Sequence, residues 1–473
     1  MKNIVFIQPP MRMEQRYGRL AAAGATAPPY GICCLAAVAR KHGYRAHIID
    51  AEASRLTVEK AAEAALSFRP HYAGFTATTL TLRNAARIAR LLKEADPAVR
   101  TIVGGCHVTA LPEETLETHP EFDIGVLGEG EDTLIELLRR LDEGGDPESV
   151  RGLALRRSGV VRTPRRPLIA DLDSLPPPAF DLLPELARHY RPNAQSVASL
   201  PALSLMTSRG CFGQCTFCDR SVMGNKLRFH GAPFVLGMIK NLRERHGIRS
   251  ISFEDDIFLA LRRRLEEMAS LWDRRRDTAW TCASRVDAVD EKTLRLAKRL
   301  GCWQVLYGVE SGSQKILDLY DKRITLDQIE RVVEMSRRLG LYTKGFLMIG
   351  NPLETLETLD ATRVFAKRIA LTDIALSFFT PFPGAALYRA WRKYGAFDND
   401  PEKMTGNHVV FVPHGLSKEL LQHHERKILR DFYGRVSIVW SYLRRTRDPR
   451  RLMALVPSAV GLARHVLGQR FRA

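Results

Sequence analysis

The stretch Ser208-Arg209-Gly210-Cys211-Phe212-Gly213-Gln214-Cys215-Thr216-Phe217-Cys218 holds three of the eight cysteines of this 473-residue chain. Three thiolates on one turning loop can bind three irons of a 4Fe-4S cluster and leave the fourth iron open, whereas a structural zinc site needs a fourth ligand. The nearest downstream candidate for that ligand is His230, which lacks the second histidine or cysteine of a zinc finger. The spacing therefore favours an iron–sulfur cluster held by Cys211, Cys215 and Cys218 over zinc.

Strand and helix patterns alternate around this loop. Short apolar runs separated by helical sequence predict six strands, which indicates a partial (β/α)6 TIM-like barrel with its working loops at the carboxyl ends of the strands. We expect this α/β domain to span residues 201–415. The predicted strands are 204–207, 250–253, 279–283, 303–308, 344–350 and 373–379.

The amino-terminal part shows the same alternation and predicts an open parallel Rossmann-like sheet within residues 1–143. Between 144 and 200 the periodicity weakens and prolines interrupt any helix, which predicts an extended linker. Residues 416–473 show no strand pattern and predict a helical tail. The predicted amino-terminal strands are 4–8, 46–50, 72–76, 101–104 and 124–127, with helices at 30–42, 57–67, 82–95 and from 131.

Composition narrows the class of protein. A hydrophobic content of 45% with 26% charged residues is typical of a folded protein and excludes disordered and fibrous classes. Lys plus Arg exceed Asp plus Glu by 71 to 53, which favours an acidic partner such as nucleic acid, an anionic membrane surface or a phosphorylated small molecule. Because we find neither a signal-peptide core nor a run of roughly 18 apolar residues, we expect a cytoplasmic protein.

Half of the net charge lies in the tail, where residues 417–473 contain 13 Lys or Arg and 4 Asp or Glu. Arginines mixed with residues such as Trp440, Leu443 and Met453 are typical of helices that lie on anionic lipid. The alternative is a set of helices that cover the barrel and turn their arginines toward solvent. Nucleic-acid binding is disfavoured, since no RNA-binding fold accompanies the charge.

With Phe217 directly before its third cysteine, the cysteine loop resembles the CxxxCxxC signature of the radical S-adenosylmethionine (SAM) superfamily. The resemblance implies a partial barrel and a cluster whose open iron chelates the amino and carboxylate groups of SAM. It also implies one-electron cleavage of SAM to a 5'-deoxyadenosyl radical. The cofactor carries this chemistry, and the protein positions it.

Further SAM contacts are expected at the ends of the barrel strands. The second strand ends in Phe253-Glu254-Asp255-Asp256, where family members often carry Gly-Gly-Glu, so a carboxylate remains but the glycines do not. The alternative is that Asp255 and Asp256 cap the next helix, and for Met348 core packing stands beside an adenine contact. The candidate SAM-binding residues are Phe217, Asp255, Ser284, Arg285, Glu310 and Met348.

In the amino-terminal domain, Gly104-Gly105-Cys106-His107-Val108 and Gly128-Glu129-Gly130-Glu131 follow predicted strands, where ligands enter open α/β sheets. A nicotinamide site is disfavoured because Gln8-Pro9-Pro10 stands where Gly-x-Gly-x-x-Gly would follow the first strand. Placed before such a barrel, the domain resembles the cobalamin-binding domain of cobalamin-dependent radical SAM enzymes.

The usual Asp-x-His cobalt ligand is missing, so His107 either reaches the corrin or has a structural role. The threonines after the third strand either contact the corrin or cap a helix. The candidate cobalamin-binding residues are Thr76, Thr78, Gly104, Gly105, His107, Val108, Gly128, Glu129 and Gly130.

The two resemblances imply a methyltransferase that methylates an unactivated carbon through a 5'-deoxyadenosyl radical and methylcobalamin. The expected partners are a small-molecule or lipid substrate, an external one-electron reductant and, through the tail, an anionic membrane. Two alternatives stay open: a cobalamin-dependent cyclase, oxidase or rearrangement enzyme without methyl transfer, and a non-enzymatic scaffold on a lipid surface.

Overall fold

The computed structural model describes residues 2–18, 21, 24–272, 278–446 and 448–467. The chain contains two mainly parallel sheets, and helices pack against each of them. The first sheet has the order β2-β1-β3-β4-β5-β6-β7, in which the first five strands are parallel. Its strands are β1 (Asn3–Gln8), β2 (Arg45–Asp50), β3 (Tyr72–Thr76), β4 (Arg100–Gly104), β5 (Ile124–Val126), β6 (Leu153–Arg156) and β7 (Val160–Arg162).

Helices cover both faces of this sheet, as is usual where parallel strands are joined by helical crossovers. Strand β1, which lies between β2 and β3, contains a continuous apolar run, Ile4 to Ile7, that is almost fully buried. Helix α3 starts where the Thr57 side chain accepts a hydrogen bond from Lys60 N. The helices of this part are α1 (Met13–Tyr17), α2 (Tyr30–Lys41), α3 (Val58–Ser67), α4 (Leu82–Ala95), α5 (Cys106–Ala110), α6 (Pro112–Thr118) and α7 (Glu131–Asp142).

Strands β6 and β7 lie in the stretch that the sequence predicted to be linker, 144–200. Both are antiparallel, and β6 pairs with β5 at the edge of the first sheet. Leu153, Ala154 and Leu155 are buried there. The sequence pattern did not reveal them because these short antiparallel strands follow one another directly, without the helix that separates the parallel strands. The first sheet therefore continues past residue 143. Helix α8 (Leu186–His189) follows before the barrel.

The second sheet is an open, curled half-barrel of six parallel strands in the order β15-β14-β13-β12-β11-β8. This architecture confirms the predicted fold class. A short ribbon of β9 (Ser208–Arg209) and β10 (Arg228–Phe229) stands beside it. The barrel strands are β8 (Ala202–Leu205), β11 (Ser250–Phe253), β12 (Ala279–Ser284), β13 (Cys302–Glu310), β14 (Tyr342–Ile349) and β15 (Asp373–Phe378).

Amphipathic helices close the outer side of the barrel, and strand residues such as Val305 and Tyr307 are buried in the core beneath them. Reciprocal caps fix two helix starts, with Thr325 and Gln328 at one and Thr355 and Thr358 at the other. The helices are α9 (Ala232–His246), α10 (Arg262–Leu271), α11 (Glu291–Arg299), α12 (Gln314–Leu319), α13 (Leu326–Arg338), α14 (Leu356–Arg368) and α15 (Ala386–Ala390).

After a hairpin of β16 (Gly395–Phe397) and β17 (Phe411–Pro413), the chain ends in the predicted helices. They are α16 (Lys418–Tyr433), α17 (Val436–Arg445) and α18 (Pro449–Leu467). Among the residues described, no helix is both long and apolar enough to cross a membrane.

Candidate active site

The cysteine loop begins at the ribbon of β9 and β10, which gives it a fixed base. Gly210 has φ +83°, and a Cβ at this position would clash with the carbonyl oxygen of Lys226. Only glycine combines this backbone conformation with this close approach, so Gly210 sets the turn directly before Cys211. Beyond the carboxyl end of the first barrel strand, Cys215 and Cys218 are hydrogen-bonded to each other, and Cys211 is close enough to Cys215 for their charges to interact.

Two cations lie close to these thiols. Arg285 donates from Nη1 to the Cys215 sulfur at 3.4 Å. The hydrogen bond from Cys218 lowers the pKa of Cys215 to about 6 despite burial, and the charges of Lys322 and Arg285 act in the same direction. The hydrogen bond to Cys215 and burial raise the pKa of Cys218, and burial raises the pKa of Cys211. One thiol is thus already favoured as the thiolate, the form that binds a metal.

Arg285 is itself held in place. Its Nε and Nη2 donate to the two carboxylate oxygens of Asp287 at 2.9 and 2.8 Å, and Nη2 also donates to the Lys322 carbonyl at 2.5 Å. Gly213 leaves room for it, since a Cβ there would lie 3.0 Å from Arg285 Nη1. The sequence predicted Arg285 and Ser284 as SAM contacts. The structure places Arg285 against the cysteine loop and buries Ser284 beside it.

Glu310 ends β13 at an irregular point of the sheet. Its φ is +61°, and the register with β14 shifts between Gly308 and Glu310. The carboxylate accepts a 2.6 Å hydrogen bond from Lys322 Nζ, and both side chains are buried. A non-glycine residue at positive φ beside a candidate ligand site fits a functional constraint. Lys322 was missed by sequence reasoning, because a lone lysine beyond α12 carries no motif.

Phe217 and Met348 come together in a small apolar cluster with Tyr320. The ring centroids of Phe217 and Tyr320 are 4.6 Å apart, and Lys322 Nζ lies 5.8 Å from the Phe217 ring. Met348 packs against this cluster, as the core-packing alternative expects. The cluster forms an apolar wall beside the charged pair of Glu310 and Lys322.

The carboxylates after β11 differ in what they contact. Asp255 is buried and accepts hydrogen bonds from Ser208 Oγ and, at 2.8 Å, from Thr207 Oγ1. Its carboxylate therefore supports the start of the cysteine loop and does not cap the next helix. Asp256 is exposed toward the neighbouring cavity, and partial burial raises its pKa. The carboxylate available to a ligand is therefore that of Asp256, one position beyond the predicted one.

A cavity of about 430 Å³ lies between the two sheets. Glycines at the ends of β4 and β5 line one side, and the start of the cysteine loop with Asp256 lines the other. Apolar side chains such as Phe6, Ile102 and Leu134 continue it along one face of the first sheet. Gly74 in the middle of β3 keeps this space open, since a Cβ there would lie 2.9 Å from the Phe6 ring. The cavity thus offers apolar walls and a rim where backbone can approach a ligand closely.

Six of the nine candidate cobalamin-binding residues line this cavity: Thr76, Gly104, Gly105, Gly128, Glu129 and Gly130. Three do not. His107 is buried and its Nδ1 lies 3.1 Å from Thr79 Oγ1, while burial lowers its pKa to about 4. Val108 packs in the core of the first sheet, and Thr78 bonds Thr81 at the start of α4. Because α5 begins at Cys106, His107 and Val108 turn away from the cavity.

Glu129 also belongs to a buried ion network between the two sheets. Arg209 donates to Glu129 at 2.7 Å and to Glu131 at 2.5 Å, and Arg228 donates to the second Glu129 oxygen at 2.7 Å. All four side chains are at most 9% exposed. Sequence reasoning did not predict this network, since neither arginine lies in a recognisable motif.

His230, the candidate fourth ligand of a zinc site, is engaged elsewhere. Its Nδ1 lies 2.9 Å from Asp173 Oδ1, and its ring stacks on Phe234 with centroids 4.0 Å apart. Of the remaining cysteines, Cys33, Cys34, Cys282 and Cys302 are buried. Cys106 is exposed and lines the cavity.

Two family models match the chain. The B12 binding domain matches residues 18–138, and the Radical SAM superfamily matches residues 205–366. The first match covers most of the first-sheet residues that line the cavity, and the second covers the cysteine loop and most of the barrel.

Curated relatives match most of the chain. An uncharacterized methyltransferase of Pyrococcus horikoshii is 35% identical over 389 residues, 79% of this chain and 83% of the relative. An anaerobic magnesium-protoporphyrin IX monomethyl ester cyclase of Rubrivivax gelatinosus is 29% identical over 371 residues, 76% of this chain and 66% of the cyclase. Methyltransferases and cyclases are thus both found among the relatives.

Among solved structures, the cobalamin-dependent SAM radical enzyme OxsB, with aqua-cobalamin and SAM bound, superimposes with a TM-score of 0.76. The match covers 99% of this chain and 72% of OxsB at 18% identity. At this identity the likeness shows the shared fold of the two proteins.

Proposed function

Because this chain belongs to the cobalamin-dependent radical SAM enzymes, we propose that it is a methyltransferase that methylates an unactivated carbon. In this proposal residues 1–143 bind cobalamin, and residues 144–200 add the edge strands β6 and β7 to the first sheet before they lead to the barrel. Residues 201–415 bind the cluster and SAM, and residues 416–473 form the basic helical region. A relative with a methyltransferase name, similar over most of its length, supports methyl transfer.

The main observation in support of the proposal is the lining of the cavity. The glycine-rich strand ends of the first sheet and Gly210 and Cys211 of the cysteine loop line the same cavity. A corrin bound at the first sheet would thus face the groups bound at the second. Holding both in one chain gives the reacting groups a high effective concentration.

The residues present fit the cofactors. Eight free cysteines, three of them on one loop beside two cations, suit an iron–sulfur cluster, and the glycine rim suits a large ring. When bound, the cluster and SAM supply one-electron bond cleavage, and cobalamin supplies the methyl group. We propose that Cys211, Cys215 and Cys218 bind the cluster.

The side chains around the loop then position SAM. Lys322 balances the buried charge of Glu310, and the hydrogen bond from Cys218 favours the thiolate of Cys215, with a further contribution from Arg285. Phe217 and Met348 provide an apolar wall that excludes water from the reacting centre. Asp256 offers a carboxylate at the cavity, a role that sequence reasoning assigned to Asp255.

The proposed partners are a small-molecule substrate and an external one-electron reductant. We propose the cytoplasm as the compartment, because eight unbridged cysteines and a cluster suit reducing conditions. We also propose that the basic carboxyl-terminal region contacts an anionic membrane peripherally.

Anaerobic reconstitution with iron, sulfide and hydroxocobalamin tests the cofactor assignment. We expect a corrin absorption spectrum to remain with the protein after desalting. Loss of all corrin on desalting, from protein that retains its iron and sulfide, would contradict the proposal.

A second candidate is a cyclisation without methyl transfer, which the similarity to the cyclase favours. Reconstituted protein supplied with methyl-labelled SAM and cell extract separates the two. A product that carries the label, detected by mass spectrometry, indicates methyl transfer. A new product without the label indicates the cyclase chemistry and excludes the first candidate.

A further inference from the structure

The last two helices are anchored to the protein along one side. Helix α17 buries Ile438 and Arg445, and the Arg445 guanidinium lies 3.7 Å from the centroid of the Tyr442 ring. Helix α18 buries Arg451, whose Nε donates to the Ala194 carbonyl at 3.1 Å. These two arginines point into the protein and depart from the alternative in which the helices cover the barrel and turn their arginines toward solvent.

The opposite side of both helices is apolar and open. On α17 the exposed residues recur at positions i, i+3, i+4 and i+7, which places them in one stripe, and a similar stripe runs along α18. Val436 is 83% exposed, Trp440 53% and Met453 68%. Eight of the eighteen large apolar side chains exposed in the described residues lie here. We call these eight the apolar face: Val436, Val439, Trp440, Leu443, Leu452, Met453, Val456 and Val460.

This pattern is the reverse of an ordinary surface helix, whose apolar stripe faces the core. Contiguous exposed apolar residues on a soluble protein mark a binding surface or a membrane contact. The apolar face therefore requires an occupant.

The charge of this region indicates which occupant the apolar face would bind. From Val436 to the end of the sequence there are eight arginines and one acidic residue, Asp448. The Asp448 carboxylate is already used by the backbone N–H groups of Leu200, at 2.7 Å, and Arg450, at 3.0 Å. A second copy of the chain would bring arginines against arginines with no acids to balance them, which opposes self-association. Anionic lipid instead provides both an apolar interior and negative headgroups.

The side chains near the edge of the face suit a lipid interface. Arg444 is exposed and its guanidinium lies 5.0 Å from the centroid of the Trp440 ring. Arg450 and Arg464 are exposed as well. A tryptophan with a polar neighbour at the water boundary, flanked by arginines, is typical of helices that lie in the headgroup region.

The contacts of α17 and α18 with the barrel determine how the barrel would be oriented relative to the lipid. Arg445 lies 5.4 Å from the ring centroid of Tyr342, the first residue of β14. Arg451 lies 4.8 Å from that of Trp303, near the start of β13. Both contacts are at the amino ends of the barrel strands, whereas the cysteine loop lies beyond the carboxyl end of β8.

We propose that the apolar face inserts into the surface of an anionic bilayer and holds the cysteine loop on the side of the barrel away from the lipid. This inference rests on the membrane contact proposed above and is independent of methyl transfer. In this arrangement the membrane anchors the enzyme, and substrate reaches the cavity from water.

Sedimentation of the full-length protein with vesicles tests the proposal. We expect binding to vesicles of phosphatidylcholine mixed with phosphatidylglycerol, little binding to phosphatidylcholine alone, and weaker binding at high salt. The double variant Val439→Ser/Leu443→Ser should bind the mixed vesicles at least about tenfold more weakly. The matched control is Val364→Ser, a substitution of a 49% exposed valine on α14, which should bind as the wild type does.

Three results would overturn the membrane contact: no binding to the mixed vesicles, equal binding of the double variant, or a dimer in sedimentation velocity that the double substitution abolishes. Peptide-resolved labelling of the exposed Cys106, which is outside the proposed cluster ligands and lines the same cavity as Cys211, by a water-soluble maleimide tests the orientation. We expect the same labelling rate with and without mixed vesicles, and slower labelling on vesicles would show that the loop faces the lipid. The methyl-labelling experiment does not depend on any of these outcomes.

Discussion

Arg209 Nη1 donates to Glu129 Oε1 at 2.7 Å across the boundary between the two sheets. Arg209 stands two positions before Cys211, and Glu129 lies in the loop after β5 that lines the cavity. This contact therefore fixes the cysteine loop relative to the glycine-rich rim. Because the pair is buried, removing one partner leaves a charge without compensation, which typically costs about 3–5 kcal/mol.

The first prediction concerns this network. Glu129→Gln leaves the guanidinium groups of Arg209 and Arg228 without their shared carboxylate. We expect the free energy of unfolding in urea to fall by about 3 kcal/mol or more, and the reconstituted variant to retain less corrin after desalting.

Glu334→Gln is the matched control, because Glu334 also binds two arginines, Arg337 and Arg338, but on an exposed helix surface. We expect this control to change stability and corrin retention little, since exposed ion pairs contribute little. A Glu129→Gln variant as stable as the control would show that the buried network does not hold the two sheets together.

Much of the fold could be predicted from the sequence because its signals are local. The eleven strands predicted from apolar runs are all present, and the strand at 250–253 has the predicted bounds. Parallel strands buried on both faces give continuous apolar runs, which are easy to recognise. The missed strands are short antiparallel ones that lie outside the alternation of parallel strands with helices: β6, β7, β9, β10, β16 and β17.

The sequence predicted the residues of the candidate site only where they lie close together on one loop. The three cysteines are consecutive in sequence, whereas Arg285 and Lys322 reach the loop from the ends of other strands and helices. Asp255 and Asp256 differ in role because adjacent residues after a strand point in different directions, and the sequence does not reveal which one meets Thr207. His107 turns away from the cavity because α5 begins one residue earlier.

The second prediction concerns the buried pair of Lys322 and Glu310. Lys322→Met and Glu310→Gln each leave the other group without its partner, so each single variant should be clearly less stable than the wild type. The double variant should be less destabilised than the sum of the two, with a coupling energy of about 1–3 kcal/mol from urea unfolding. The exposed pair of Lys403 and Asp398 serves as the control cycle and should show almost no coupling. Additive effects at the buried pair would contradict this prediction.

The third prediction concerns the cluster. After anaerobic reconstitution and desalting, the wild type should retain about four irons and four sulfides per chain, whereas Cys211→Ala should retain almost none. Cys106→Ala is the control, because Cys106 is an exposed thiol outside the loop. Equal iron content in Cys211→Ala and the wild type would exclude Cys211 as a ligand.

The last prediction concerns His107, whose pKa is lowered to about 4 by burial. An unfolded histidine titrates near pH 6.5, so below this pH the unfolded chain takes up a proton that the folded protein resists. Stability from this residue is therefore complete above pH 6.5 and is lost as pH falls toward 4, by roughly 3 kcal/mol in all. His107→Gln should remove this part of the pH dependence of urea unfolding, whereas His423→Gln, at an exposed position, should not.

Because His107 bonds Thr79 and does not line the cavity, the reconstituted His107→Gln protein should also keep the corrin spectrum of the wild type. A changed spectrum would instead identify His107 as a cobalt ligand and show that α5 moves when the corrin binds.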